Sequence, residues 1–193
     1  MRRFFKIKVF VATAIILSIF AGIGFLIMFQ ENTTPPARDL ENPRLVVTKS
    51  ERKLEIFDGD KLLKTYKIVL GFTPEGDKAQ EGDGKTPLGE FYVFTKNDQS
   101  KFYLSLGLSY PSIDDAARGL RENLISIDEH DAIVKAVNEG KMPPQNTRLG
   151  GEIYIHGGGT AKDWTWGCMA LENEEMKELF EAVPVGARIT ILP

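Results

Sequence analysis

The residues of this chain whose types and spacing best suit chemistry are its single cysteine, Cys168, and His156, which lies twelve residues before it. A cysteine thiolate is a strong nucleophile, and a neighbouring imidazole can take the thiol proton and later return it. Glycines stand beside both side chains, at Gly157 and Gly167. Because glycine lets the backbone approach a ligand closely, the N–H groups of Gly167 and Cys168 could stabilise a developing oxyanion. The pattern indicates nucleophilic catalysis by a Cys–His pair.

Both residues also have a purely structural interpretation. Cys168 can be a buried, inert cysteine that packs as a small hydrophobic residue, and His156 can be a strand-end histidine whose hydrogen bonds are satisfied. A metal site is less well supported, because one cysteine and one histidine fall short of the three or four ligands that such sites use. The residues alone leave the catalytic and structural interpretations open.

Other side chains near the pair carry two interpretations each. Thr165 either forms hydrogen bonds in the site or is a turn residue that bonds to its own backbone. Tyr154 shares a strand face with the histidine and either lines a cleft or packs in the core. Trp164 and Trp166 either wall a substrate groove or pack within their loop. His130, the second histidine, falls on a predicted helix and is expected to be solvated.

Two loops rich in glycine or proline accompany these side chains. Gly157-Gly158-Gly159 resembles a phosphate-binding loop, but the helix and lysine that phosphate binding requires do not follow it. We therefore expect that these glycines, which have no side chains, leave space beside the active site. Lys85-Thr86-Pro87 lies in a Gly/Pro/Asp-rich loop over 72–89 and is expected to shape the wall near the cleft.

The composition is that of an ordinary globular protein. The 193 residues include 24 basic and 27 acidic side chains, for a net charge of −3, and 42% are hydrophobic. These values exclude a disordered chain, a collagen-like chain and a multi-pass membrane protein. A single cysteine excludes an intrachain disulfide. A nucleic-acid partner is not expected, because such binding normally requires a basic stripe.

The start of the chain differs from this average. Four basic residues within 1–8 precede the uncharged run Val9–Phe29. As a helix this run would be roughly 32 Å long, enough to cross a bilayer core of about 30 Å. The positive charges place the N-terminus in the cytoplasm. We therefore predict a cytoplasmic stub over 1–8 and an uncleaved anchor over 9–29 in the inner membrane. A cleaved signal peptide is the alternative, although the apolar run is long for one and no small-residue cleavage site follows it.

The rest of the chain is predicted to lie outside the cytoplasm. Residues 30–43 are polar and Pro-rich, and we interpret them as a linker. Residues 44–193 are long enough for one solid core. Beyond residue 29 the chain has 20 basic and 27 acidic residues, so its net charge is −7. An oxidising compartment makes an unpaired thiol a liability, which favours a functional reason for Cys168.

Strand patterns dominate the predicted domain. Asp58-Gly59-Asp60 is a hairpin turn signal between two of the strands. The other strands follow from alternating or β-branched apolar residues. The predicted strands cover 44–49, 53–57, 61–70, 90–95, 102–108, 152–156, 168–171 and 188–192.

Two or three helices are expected to pack against the strands, which makes the domain mainly β within the α+β class, and two of them can be placed. Ser126 and Glu129 form a capping box that begins a helix ending near Glu139. A second helix is expected to be capped by Asn173, with one apolar face formed by Met176, Leu179, Phe180 and Val183. Residues 112–146 interrupt the strands and are interpreted as a lid over the cleft or as a surface insertion.

Several ordered motifs resemble the YkuD-type L,D-transpeptidase catalytic domain. The family signature is a His-Gly pair, a spacer, and then Ser or Thr, any residue, Gly and Cys. Here the signature is His156-Gly157 followed by Thr165-Trp166-Gly167-Cys168-Met169. The family's upstream blocks are Gly84–Phe91, Lys101–Leu106 and Leu149–His156. The resemblance covers about 44–193. The sequence departs from the commonest pattern at two positions: many members have His, Arg or Asp at the position of Trp166, and Arg or Asn at the position of Ala170.

The resemblance implies a fold and a reaction, and the sequence around Cys168 resembles a branch of the family found in Gram-negative bacteria, which makes the compartment the periplasm. The fold would be a β-sandwich or open barrel with a few helices. Cys168 would attack the bond between the third and fourth residues of a peptidoglycan stem peptide and form a thioester, with His156 as base and then acid. A stem amine or lipoprotein lysine would resolve it, or water in hydrolytic members. Gly167, Thr165, Trp166, Tyr154 and Gly157 would surround the substrate, with no metal or organic cofactor.

The family also implies a role in building the cell wall and setting cell shape, and inhibition by carbapenems. The departures at Trp166 and Ala170 leave the acceptor open. The alternative from a different class is a catalytically silent module that binds the wall. The intact set of His156, Gly167 and Cys168 argues against that alternative.

Overall fold

A computed structural model describes residues 40–193 of the chain. The predicted cytoplasmic stub over 1–8 and anchor over 9–29, with most of the 30–43 linker, lie outside the described residues. None of the helices within residues 40–193 has both the length and the apolar character needed to cross a bilayer.

Eight strands and three helices form the described part of the domain. The strands are β1 (Pro43–Thr48), β2 (Lys53–Asp58), β3 (Lys61–Lys67), β4 (Gly89–Ser100), β5 (Tyr103–Leu108), β6 (Tyr154–His156), β7 (Met169–Ala170) and β8 (Arg188–Leu192). The helices are α1 (Ile113–Arg121), α2 (Ile127–Asn138) and α3 (Asn173–Ala182). The fold is mainly β, as the sequence predicts.

All eight strands belong to one curved sheet with the order β3-β2-β1-β8-β4-β5-β6-β7. β8 pairs in parallel with β1 and antiparallel with β4, so the end of the chain joins the first hairpins to the second half of the sheet. The two ends of this order approach each other, because Val69, just after β3, exchanges backbone hydrogen bonds of 3.0 and 2.9 Å with Ala170 in β7. The sheet is therefore an open, half-closed barrel, which confirms the predicted architecture.

The main core fills the concave side of this sheet. Alternating strand residues such as Val47, Leu54 and Ile56 are fully buried. α3 packs against them through Met176 and Leu179, with Phe180 partly buried and Val183 buried, which confirms the predicted apolar face. This core supports β5, β6 and β7, the strands that carry the chemistry-bearing residues.

The capping box of α2 is present as predicted. The Ser126 hydroxyl accepts from the Glu129 N–H at 3.3 Å, and Glu129 Oε2 accepts from the Ser126 N–H at 2.7 Å. Gly140, after the end of the helix, has a φ of +65°. The sequence analysis missed α1, which begins with the same device at Ser112 and Asp115. The missed signal was a capping box closed by Asp instead of Glu or Gln.

The start of α3 differs from the prediction. Its N-cap residue is Glu172, whose side chain makes no capping hydrogen bond to the helix. Asn173 Oδ1 instead accepts from the Gly158 N–H at 3.0 Å, and Glu172 Oε1 accepts from the Thr160 N–H at 2.8 Å. Both side chains therefore hold the loop after β6, so they are not free to cap their own helix.

Several strand ends also differ, each for a local reason. β3 stops at Lys67 because the following residues turn to pair with β7. β6 begins at Tyr154 because Glu152 has a φ of +54°, which breaks an extended strand. β4 continues to Ser100, since its polar end pairs with β5 as an exposed hairpin that needs no apolar residues.

Candidate active site

A cleft with a volume of about 750 Å³ lies at the end of the sheet formed by β4, β5 and β6. Its walls come from the tip of the β4–β5 hairpin, the loop around 78–82, the segment before β6 and the loop before β7. The cleft brings together six of the residues singled out from the sequence, namely Tyr154, His156, Trp164, Thr165, Trp166 and Cys168. Gly157 and Gly167 do not line it. No group of three or more potential metal ligands occurs among residues 40–193.

His156 is held in one orientation by its backbone neighbour and by aromatic rings. Its Nδ1 lies 2.6 Å from the carbonyl oxygen of Gly157. A carbonyl only accepts hydrogen bonds, so the proton of the neutral ring is on Nδ1 and Nε2 carries a free lone pair. The ring stacks on Phe102 at a centroid distance of 4.8 Å and meets the edge of Trp164 at 5.5 Å. Burial lowers the pKa of His156, although the bond to Gly157 opposes the shift. The imidazole is therefore neutral at neutral pH and suited to act as a base.

Cys168 is partly exposed to the cleft and closely surrounded by protein on its other sides. Its Sγ accepts a hydrogen bond from the Tyr154 N–H at 3.4 Å and donates one to the carbonyl of Glu152 at 3.3 Å. Burial is the main cause that raises the thiol pKa to about 11, and the charge of Glu152 adds to it, while the Tyr154 N–H opposes it. The resting thiol is thus protonated at neutral pH, so a nucleophilic role requires a base in the cleft.

Thr165 closes the turn that presents Cys168. Its hydroxyl accepts from the Gly167 N–H at 3.2 Å and donates to the Cys168 carbonyl at 2.7 Å. These two hydrogen bonds match the interpretation of Thr165 as a turn residue. The Gly167 N–H is consequently occupied, contrary to the expectation that it and the Cys168 N–H together face an oxyanion. Within residues 40–193 the Cys168 N–H makes no hydrogen bond, which leaves it as the available donor of the two.

Two glycines, Gly167 and Gly71, allow this turn to pack on the neighbouring loops. Gly167 has a φ of +128°, and a Cβ there would lie 2.7 Å from the Lys85 carbonyl oxygen. A Cβ on Gly71 would lie 2.0 Å from the Gly84 carbonyl oxygen. Lys49 Nζ holds the same loop by donating to the Thr86 carbonyl at 2.7 Å. The Lys85-Thr86-Pro87 segment therefore packs against the turn that carries Cys168. The need for glycine at position 71 was not predicted from the sequence.

Comparison with known proteins identifies the family. A family model of the YkuD L,D-transpeptidase catalytic domain matches residues 42–191. The chain belongs to the YkuD family. This confirms the resemblance seen in the sequence motifs.

Solved structures with a similar fold include Pgp2 of Campylobacter jejuni, described as a helical cell shape determining protein. It is 23% identical, with a TM-score of 0.52, and the match covers 84% of this chain and 51% of that chain. Bd1075 of Bdellovibrio bacteriovorus is 20% identical, with a TM-score of 0.50, over 84% of this chain and 51% of that chain. The present chain thus spans about half the length of these two neighbours. A search of curated proteins found no match.

The aromatic residues of this YkuD domain divide between two tasks. Trp164 packs on His156 and donates from Nε1 to the Gly159 carbonyl at 3.2 Å, so it supports the histidine as well as lining the cleft. Trp166 is 71% exposed and meets Phe72 edge-on at 4.8 Å, which makes it an accessible wall of the cleft. Tyr154 lines the cleft and has its ring 6.5 Å from that of Phe94.

The glycine-rich loop after β6 is tied down by neighbouring elements. The Gly157 N–H donates to the Leu104 carbonyl at 3.3 Å, and the Gly159 N–H to the Leu171 carbonyl at 2.9 Å. A Cβ on Gly157 would lie 2.5 Å from Asn173 Oδ1, so only glycine fits there. Because these N–H groups are used inside the protein, the loop does not present an open phosphate cradle. Gly157 serves the site through its carbonyl, which orients His156.

Two predicted peripheral features lie away from the reacting groups. His130 is on α2, where its Nδ1 lies 2.9 Å from Asp131, and it does not line the cleft. Of the 112–146 segment, only Gln145 lines the cleft. α1 and α2 instead form a small core of their own with Ile125, Ile133 and Leu149.

Glu152 and Gln145 are site residues that sequence reasoning missed. Gln145 Oε1 accepts from the Glu152 N–H at 2.7 Å and so stabilises the left-handed backbone that turns the Glu152 carbonyl toward Cys168. Gln145 Nε2 donates to the carbonyls of Tyr110 and Pro143. The Gly150-Gly151 pair before Glu152 was the available signal, since it marks an irregular strand entry.

Proposed function

We propose that this domain is a cysteine acyltransferase that acts on peptidoglycan stem peptides. The observation that carries the proposal is the placement of the Cys168 thiol and the free Nε2 of His156 in one cleft of a domain that belongs to the YkuD family. The family supplies the L,D-transpeptidase reaction class. The residues of this chain supply a mechanism for it.

In the first half-reaction, His156 Nε2 removes the thiol proton and Cys168 Sγ attacks the carbonyl of the third stem residue. The Cys168 N–H is the donor available to the resulting oxyanion. The protonated imidazole then gives its proton to the nitrogen of the fourth residue. That D-amino acid leaves, and a thioester remains on Cys168.

In the second half-reaction an amine attacks the thioester and His156 takes the amine's proton, which it returns to the Cys168 sulfur as the carbon–sulfur bond breaks. An amine from a second stem peptide gives a cross-link, and a lipoprotein lysine gives a protein attached to the wall. Water as the acceptor gives hydrolysis, the alternative activity for the same site. The three outcomes differ only in the group that reaches the thioester.

The raised pKa of Cys168 and the lowered pKa of His156 fit this sequence of proton transfers. A resting pair of neutral thiol and neutral imidazole avoids two buried charges. The thiolate–imidazolium ion pair of Cys168 and His156 forms only when the substrate has displaced water and its carbonyl lies next to the sulfur. The partial exposure of Cys168 gives a peptide access to the sulfur.

Incubating the protein with a purified disaccharide-tetrapeptide tests the proposed reaction. A cross-linked dimer and released D-amino acid are the expected products, and a tripeptide alone would establish the hydrolase. A protein that leaves the tetrapeptide intact, while its circular dichroism shows the folded state, would contradict the proposal.

We also propose that residues 9–29 anchor this domain to the inner membrane, with the catalytic domain in the periplasm. The support is the uncharged 21-residue run after four basic residues. The full chain is then expected in the membrane pellet of lysed cells, and a chain without residues 1–29 in the supernatant. Equal recovery of both chains in the supernatant would rule out the anchor.

A further inference from the structure

Ser105 is a buried residue whose hydroxyl the proposed mechanism does not use. It lies on β5 directly opposite His156 on β6, so the two side chains share one face of the sheet. Ser105 is 3% exposed, lines the cleft, and makes no side-chain hydrogen bond within residues 40–193. Its hydroxyl oxygen has no partner in the protein but is not wholly cut off from solvent, and the cleft is the side on which it remains open to a ligand.

Asn97 extends this polar row to a third strand. It lies opposite Ser105 on β4 and also lines the cleft. Its Oδ1 accepts from the Gln99 N–H at 2.8 Å. The backbone donor fixes which atom of the amide is the oxygen, so Nδ2 is left to donate elsewhere. Lys101, at the turn of the same hairpin, adds an ammonium group without an ion pair among the described residues.

The opposite end of the cleft has the opposite charge. Glu81 and Glu152 line it there, and neither carboxylate forms an ion pair within residues 40–193. Lys78 also lines the cleft, but its ammonium group is paired with Asp83 at 2.9 Å. Cys168 Sγ forms hydrogen bonds with the backbone of Glu152 and Tyr154. His156 lies two residues beyond Tyr154 along the same strand. His156 therefore lies on the hairpin side of the sulfur. An anionic group in the cleft is repelled by the glutamate end and attracted by the hairpin end.

We propose that Ser105, Asn97 and Lys101 form the subsite for the carboxylate of the D-amino acid that leaves in the first half-reaction. This inference rests on the proposed function. The leaving nitrogen must lie beside His156 to receive its proton, and the carboxylate is carried by the carbon bonded to that nitrogen. It is thus placed on the hairpin side of His156, where a hydroxyl, an amide and an ammonium group can donate to it.

The experiment compares a stem tetrapeptide that ends in a free D-alanine carboxylate with the same peptide ending in a carboxamide. Calorimetry measures the binding of each peptide to the full chain carrying Cys168→Ala, which binds without reacting. Ser105→Ala in this background is expected to weaken carboxylate binding about tenfold and carboxamide binding by less than about twofold. Asn97→Asp, at an exposed position, should weaken carboxylate binding at least as much. Ser50→Ala, the same substitution far from the cleft, should change neither.

Equal loss for both peptides, or no loss for either, would overturn the carboxylate subsite. Turnover of the two peptides by the chain with Cys168 intact separates this result from the proposed function. A protein that shows the expected binding preference and no turnover would keep the subsite and contradict the acyltransferase. A protein that cleaves both peptides equally well, with binding unaffected by Ser105→Ala, would keep the acyltransferase and contradict the subsite.

Discussion

At the scale of residues, the site is a neutral pair at rest. The Gly157 carbonyl fixes the proton of His156 on Nδ1, and burial keeps the ring uncharged. The Glu152 carbonyl accepts a hydrogen bond from the Cys168 thiol, and burial keeps the proton on the sulfur. Both residues could be singled out from the sequence, because a lone cysteine and a Gly-flanked histidine are visible as types. Sequence reasoning could not predict the Glu152 carbonyl, since any residue type supplies one.

The pH dependence of thiol alkylation follows from this resting state. Iodoacetamide reacts with the thiolate, so the rate should rise with pH to a midpoint of about 11 in the folded protein. In denaturant the midpoint should fall toward the ordinary value of 9.0. Cys168 is the sole cysteine, so the whole signal belongs to it. A folded-state midpoint near or below 7 would mean a preformed thiolate–imidazolium pair instead.

Thr165 is expected to matter for both stability and reaction. Thr165→Val removes the hydroxyl that joins the Gly167 N–H to the Cys168 carbonyl, and leaves both groups without that partner. The free energy of unfolding should fall by about 1–3 kcal/mol, with a loss of kcat/KM. Thr165→Ser keeps the hydroxyl and should retain most of both quantities in urea unfolding and turnover assays. Equal behaviour of the two variants would show that the hydroxyl has no such role.

At the scale of elements, the site depends on how short strands and loops meet. The capping box of α2, the apolar face of α3 and most strand positions follow from local pattern, and the sequence predicted them. The missed features are those set by distant partners. Asn173 turns away from its own helix because Gly158 needs an acceptor. β6 starts late because Gln145 stabilises a left-handed Glu152.

The contact beneath the cysteine turn gives a prediction about packing. In Gly71→Ala the new methyl group would lie 2.0 Å from the Gly84 carbonyl oxygen, and backbone on both sides limits relaxation. Unfolding free energy should fall by about 3 kcal/mol or more. Gly59→Ala is the control, because no atom lies within 4 Å of its Cβ and only its φ of +57° resists the change. That variant should lose about 1 kcal/mol. A smaller loss for Gly71→Ala than for Gly59→Ala would contradict the packing described here.

At the scale of the whole molecule, one barrel-like sheet brings distant segments to a single cleft. The cleft combines the β4–β5 hairpin tip, the loop around 78–82 and the two signature segments near 156 and 168. The motifs predicted the family and the fold class because their order along the chain is distinctive. They did not predict the charge difference between the two ends of the cleft, which depends on where the sheet places Glu81, Glu152 and Lys101.

The central claim is that Cys168 is the nucleophile and His156 its base. Intact-protein mass spectrometry after exposure to a carbapenem, the kind of acylating inhibitor that the family resemblance predicts, tests it most directly. The folded protein should gain the mass of one carbapenem on Cys168. Cys168→Ser should gain none while keeping its fold, and His156→Gln should react far more slowly. A folded wild-type chain that forms no adduct on Cys168, or a His156→Gln variant that reacts as fast as the wild type, would contradict the account.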